Sequence, residues 1–177
     1  MTTPTSKILE ELADREAIRE CLYRYSRGVD RLDADMVRSA YWPDCVDNHM
    51  GFTGNAEEFI AWSFPIMGTM DQTMHLIGNV LMTIRGNVAD AEAYFYGIHR
   101  INLPDEGGKS DVIGAGRYLD QLEKRGDEWR IKERMVVTDW FRQYPDSADW
   151  SQGMLGITVD PGGRYPQDDS YKLVSID

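Results

Sequence analysis

Cysteine, histidine and long apolar runs are all scarce in this chain. Two cysteines, Cys21 and Cys45, occur in 177 residues, with no CxxC pair. A disulfide framework and a thiolate zinc site are therefore excluded as organising principles, and both residues read as small buried hydrophobes. No stretch approaches membrane-spanning length. The opening "MTTPTSKILEELADRE" lacks the apolar core of a secretion signal, so a cytoplasmic protein with free thiols is expected. Basic residues are also few: 19 Lys and Arg against 30 Asp and Glu leave a net charge of −11. Such a surface repels phosphates, which argues against nucleic acid and anionic membranes as partners. The three histidines, His49, His75 and His99, are spaced like no compact zinc motif, so no metal is expected.

What remains is an ordinary globular composition, 42% hydrophobic and 28% charged, in a length that suits one domain spanning 1–177. The N-terminal third has helical periodicity. Ile8, Leu12, Ile18, Leu22, Tyr25 and Val29 recur mostly every three or four residues, and Asp30 closes the run. A short helix is expected over 34–41, stopping before Pro43. Another follows Asn55 as N-cap and is ended or kinked by Pro65. A short strand is expected at 44–50 and long strands at 73–85, 88–101, 111–125 and 128–141. "RGNV" and "RGDE" make tight antiparallel connections between them. Helices followed by a meander of strands means α+β. The core runs from about 8 to 141. Residues 142–177, rich in proline and aspartate but also carrying Trp150, Met154 and Leu155, form a C-terminal arm. It is expected to pack as a lid near the pocket mouth or on a neighbouring subunit.

Period-2 alternation sorts the strand residues into faces. Thr73, His75, Ile77 and Asn79 share one side of the first long strand. Ala93, Phe95, Gly97 and His99 share one side of the second. Small, apolar and a few polar groups together describe a ligand cavity better than a solid core. A buried imidazole at His75 needs a partner, and Asp30 can supply one. By composition Asp30 is an ordinary surface aspartate at a helix end. If it points inward, it can accept the imidazole N–H, fix the tautomer and stabilise the imidazolium. The opposite faces, with Met74, Leu76, Val80 and Met82 on one strand and Tyr94, Tyr96 and Ile98 on the next, are too apolar for a monomer. A homo-oligomer, trimer or dimer, is expected.

The order "LADREAIRECLYRYSRGVDRLDADMVRSAYWPDC", then "MHLIGNV", then "GRYLDQLEKRGDEWRIKERMVVTDW" resembles the SnoaL-like branch of the nuclear-transport-factor-2-like superfamily. It is most similar to the group containing scytalone dehydratase, dehydrochlorinase and bile-acid dehydratase. The resemblance implies a cystatin-like cone, in which N-terminal helices pack on a strongly curved, mostly antiparallel sheet around a pocket. It implies a cofactor-independent lyase, of dehydratase type, acting on an aromatic or polycyclic hydrophobic small molecule. The catalytic set it implies is His75 as base, Asp30 as its partner and Tyr25 as hydrogen-bond donor. His99, His49, Asn79, Phe95, Trp62 and Trp140 are the expected substrate-binding residues. Isomerisation, cyclisation or retro-aldol cleavage could use the same pocket. So could a non-catalytic subunit like the small subunits of ring-hydroxylating dioxygenases.

Overall fold

The computed structural model describes residues 4–103, 107–158 and 160–175. Helix α1 (Pro4–Arg31) is followed by α2 (Ala34–Ala40), β1 (Tyr41–His49), β2 (Phe52–Gly54) and α3 (Ala56–Met67). Four long strands come next, β3 (Gln72–Arg85), β4 (Val88–Asn102), β5 (Lys109–Arg125) and β6 (Glu128–Pro145). A 3-10 turn (Trp150–Gln152) and the short helix α4 (Ser170–Leu173) lie in the C-terminal arm. One six-stranded sheet runs in the order β2-β1-β6-β5-β4-β3. Every neighbouring pair is antiparallel except β1 with β6. The α+β expectation holds, and the four long strands fall where the alternation put them. The β2 strand, which turns back on β1, was not foreseen.

Helix α1 buries only its second half. Ile18, Cys21, Leu22, Tyr25 and Val29 enter the core, each large apolar side chain contributing roughly 1.5–3 kcal/mol. The apolar stripe read from Ile8 does not hold at its start, because Ile8 and Leu12 lie on a first half of the helix that leaves them exposed. In α3 the Asn55 side chain and Glu58 form the reciprocal capping box. Pro65 does not end this helix. It sits in the last turn, and the helix runs on to Met67 before the Gly68 N–H bonds the Phe64 carbonyl at 2.8 Å.

Two of the sheet's register shifts change which of the expected residues face inward. Between Ile77 and Val80 the β3–β4 register shifts by one residue. A one-residue slip turns every following side chain over. Val80, Met82 and Ile84 therefore pack inward, and Leu81 faces out. The expectation that Val80 and Met82 lie on the outer face is corrected by this bulge. A second irregularity, between Ala115 and Gly116 of β5, puts Thr138 and Trp140 of β6 opposite adjacent residues. The outer face keeps Met74, Leu76, Leu81, Tyr94, Tyr96, Met135 and Trp140 exposed.

Candidate active site

The inner face of the curved sheet and the helices enclose a cavity of about 330 Å³, at the small end of ligand pockets. Its floor is aromatic: Tyr25 and Phe59 from the helices and Tyr118 from β5. One wall carries His75, Phe95 and His99, and the other His49, Trp62 and Ser63. Met50, Ile66 and Phe141 lie toward solvent at the mouth.

Asp30 sits in the last turn of α1 and points inward. Its Oδ1 lies 2.7 Å from His75 Nδ1, and its Oδ2 accepts the His75 backbone N–H at 2.7 Å. Ser26, one turn earlier, donates to the His75 carbonyl at 3.1 Å. Helix and strand are thus locked together at the histidine, with Nδ1 engaged and Nε2 left for the cavity. Burial alone would raise the Asp30 carboxyl, but the hydrogen bonds and charge of His75 outweigh it and hold Asp30 below the ordinary carboxylate value. The His99 ring lies 5.1 Å from that of His75, edge to face. Burial, then the neighbouring His75, pushes His99 down to about 4, so at neutral pH it is an uncharged imidazole.

Gly97 makes room for both rings. A Cβ there would lie 3.0 Å from His75 Cδ2, 3.1 Å from its Nε2 and 3.1 Å from His99 Cε1. Across β5, Gly114 lines the cavity with nothing in the space a side chain would take. The two paired glycines leave open the space beside the imidazoles.

Beneath the floor lies a buried ionic pair. Arg134 Nε and Nη2 each bond Asp120 at 2.7 Å, and both side chains are fully buried. The guanidinium is 4.1 Å from the Tyr25 ring centroid and 4.2 Å from that of Tyr118, which fixes both rings from below. Burial alone would lower the Arg134 value, but Asp120 and Tyr41 hold it charged. Tyr25 stays protonated because burial raises its hydroxyl well above the ordinary value. On the second wall, Asp47 accepts from the Tyr41 hydroxyl through Oδ2, while its Oδ1 lies 3.5 Å from His49 Nδ1. His49 Nδ1 and the Ser63 hydroxyl are buried without a hydrogen-bond partner among the described residues.

Of the expected site residues, His75, Asp30, Tyr25, His99, His49, Phe95 and Trp62 meet at or beside this cavity. Two do not. Asn79 lies in the β3 bulge, which turns it out to solvent. Trp140 points outward, 62% exposed, and Phe141 reaches the mouth instead. Among the described residues of the arm none lines this cavity, and Trp150 covers the Arg100 guanidinium at 4.5 Å. No group of three or more His, Cys, Asp or Glu among the described residues is gathered as a metal site. No helix among them is long and apolar enough to cross a membrane.

Asp120, Arg134 and Ser63 were missed. Asp120 was legible, since Tyr118 and Leu122 flank it at period two on the inner face. Arg134 was not, because a register shift separates it from Ile131.

Comparison with known proteins agrees with this architecture. An uncharacterised protein of Mycobacterium tuberculosis is 24% identical over 137 residues, covering 75% of this chain and 90% of its own. Among solved structures, a Novosphingobium aromaticivorans protein assigned provisionally as a scytalone dehydratase superposes with a TM-score of 0.66 at 21% identity. That match covers 78% of this chain and 92% of the other. The type 3 hexachlorocyclohexane dehydrochlorinase LinA of Novosphingobium barchaimii superposes with a TM-score of 0.67 at 18% identity, covering 86% and 98%. The SnoaL-like domain model matches residues 10–135, well over half of the sequence, and the chain belongs to that family.

Proposed function

We propose that the protein is a cofactor-independent lyase acting on a compact, apolar ring compound, with His75 as general base and Asp30 as its orienting partner. The observation that carries this reading is the Asp30–His75 pair, bonded at 2.7 Å on the wall of an apolar cavity. Two of the similar structures bear the names of a dehydratase and a dehydrochlorinase, which supports elimination chemistry. In an elimination, His75 Nε2 takes a proton from carbon and the C–H electrons form the new double bond. The leaving group departs from the adjacent carbon with its bonding pair. Asp30 stabilises the imidazolium so formed. A neutral imidazole is a weak base for carbon, so the oxyanion developing on an activating carbonyl needs fixed donors. The protonated Tyr25 hydroxyl is one, and His49 and Ser63 on the facing wall are the polar side chains that could add others. The cavity volume favours one or two rings over an extended polycycle.

A panel of one- and two-ring β-hydroxy ketones tests the reading, with enone absorbance as readout. For any compound turned over, His75→Ala should lower the rate at least ~100-fold, the low end for removal of a general base. Asp30→Asn should also impair turnover strongly, because an amide cannot stabilise the imidazolium. Near wild-type rates in both variants would refute the assignment. Running the reaction in deuterium oxide separates elimination from isomerisation, since an isomerase returns a solvent-exchanged proton to the product carbon.

A further inference from the structure

We infer that Arg164, in the C-terminal arm beyond the matched family segment, is a positioning residue that holds the two halves of the Asp30–His75 pair in register. The inference rests on the reading of that pair as the catalytic base. It begins with the end of α1. The last carbonyls of a helix have no partner inside it, and here four of them find one in succession. The Gly28 carbonyl accepts from Asp33 N–H at 2.8 Å and that of Val29 from Leu32 N–H at 3.3 Å, around Leu32 at φ +55°. The next two are satisfied by the arm. Arg164 Nη1 bonds the Asp30 carbonyl, and the Tyr165 N–H bonds that of Arg31 at 2.7 Å. A segment more than 130 residues away in sequence thus caps the helix that carries Asp30.

The same guanidinium reaches the strand that carries His75. Nη1 also donates to Thr73 Oγ1 at 2.7 Å, two residues before His75 on the same face of β3. Nη2 reaches the carbonyl of Met67, the last residue of α3, at 3.5 Å and that of Met70, in the connection to β3, at 3.3 Å. Four acceptors on three elements converge on the planar end of one side chain, a geometry that a lysine ammonium cannot span. None of them is a carboxylate. The ion pairs among the described residues leave Arg164 out, although Asp30 feels its charge. A carboxylate in the last turn of a helix faces the negative end of the helix dipole. The Arg164 guanidinium on the Asp30 carbonyl, together with the neighbouring Arg31, offsets that. The arm is seated well enough to carry this load. Arg31 bonds the Gly163 carbonyl at 2.9 Å, Gln72 that of Gly162 at 2.8 Å, and the Tyr171 hydroxyl bonds Asp33 at 2.9 Å.

Nuclear magnetic resonance on the full chain tests this without a substrate. The Nδ1 proton of His75, identified by its loss in His75→Gln, reports the bond to Asp30 through its exchange with water. In Arg164→Gln and Arg164→Met that exchange should accelerate at least ~10-fold, the effect of one lost buried hydrogen bond on a local opening. Tyr171→Phe removes an arm anchor that does not touch the pair and should leave the exchange as in the wild type. A folded Arg164→Gln protein with unchanged exchange would overturn the inference. So would equal acceleration by Tyr171→Phe, which would mean general loosening of the arm, or a wild-type protein without the Nδ1 proton. Should the neutral variants not fold, Arg164→Lys decides: faster exchange supports the inference and wild-type exchange overturns it. Where a panel substrate is turned over, Arg164→Gln should lower kcat with KM little changed. Accelerated exchange in Arg164→Gln together with full activity of His75→Ala would keep the positioning role and reject His75 as base.

Discussion

His99 should make the protein lose stability in weak acid, and the loss can be separated from that of any other group. Its imidazole is pushed down from 6.5 to about 4, first by burial and then by His75. The folded state therefore binds its proton later than the unfolded chain as pH falls. Stability from His99 is fully present above pH 6.5 and is lost progressively from there to about pH 4. Below that both states are protonated and the loss stops, at roughly 3 kcal/mol in all. Between pH 7 and pH 5 the loss from this residue is roughly 2 kcal/mol. Asp30 does not confuse this window. Its carboxyl is held below 3.8, so its own contribution is lost only as pH falls below the ordinary carboxylate range. Urea unfolding at pH 7, 6 and 5 measures the effect. Wild type should lose ~2 kcal/mol more than His99→Gln across that interval, whatever the variant loses at pH 7 from poorer packing. Equal losses in the two proteins, within about 0.5 kcal/mol, would refute the argument that His99 is buried neutral.

Gly97→Ala should displace the His75 and His99 rings, because the new Cβ would lie 3.0–3.1 Å from both. The cost in unfolding free energy should be ~1–3 kcal/mol, with a marked change in the His75 ring resonances. Gly114→Ala, where nothing stands in the way, should be tolerated far better. Arg134→Met leaves Asp120 buried and unpaired, so thermal or urea unfolding should show a loss of ~3–5 kcal/mol. Adding Asp120→Leu should recover part of that loss rather than add to it. The outer face, with Leu76 63% and Leu81 68% exposed beside Met74, Tyr94 and Tyr96, should be covered by a second copy of the chain. Light scattering at micromolar concentration should show more than the 20.3 kDa of one chain, and Leu76→Glu should shift the population toward monomer.

Much of this architecture was legible because it depends on periodicities that repeat over many residues. The β4 face is the clearest case. Ala91, Ala93, Phe95, Gly97 and His99 alternate without interruption, and all turn to the inside. His75 was legible for the same reason, since it precedes the bulge on β3. Asn79, two positions further along the same alternation, was misplaced because the register shift lies between the two. Trp140 failed in the same way on β6. A bulge is one residue long and leaves hardly any compositional trace, yet it reverses every assignment beyond it. The direction of Asp30 was not legible from composition at all. A helix-end aspartate is ordinary on a surface, and only the docking of β3 beside the last turn of α1 makes it a partner for an imidazole.

The arm illustrates a different limit. Of its large apolar residues, expected to pack near the pocket mouth or on a neighbouring subunit, Met154 and Leu155 are 69% and 91% exposed in the single chain. The residues that dock are polar: Arg164 bonds the Asp30 carbonyl and the Thr73 hydroxyl, the Tyr165 N–H the Arg31 carbonyl and the Tyr171 hydroxyl the Asp33 carboxylate, while the Asp168 carboxylate lies 3.7 Å from the Arg31 guanidinium. Hydrophobic pattern finds surfaces that bury area, but it is blind to segments whose task is to supply hydrogen bonds to helix ends. The site is consequently supported from two sides by different physics. Below, Arg134 and Asp120 hold the aromatic floor through a buried ion pair. Beside the dyad, the arm closes the C-terminus of α1 with neutral acceptors around one cation. Since the two supports share no residue, substitutions in one should add to those in the other, whereas substitutions within either should not.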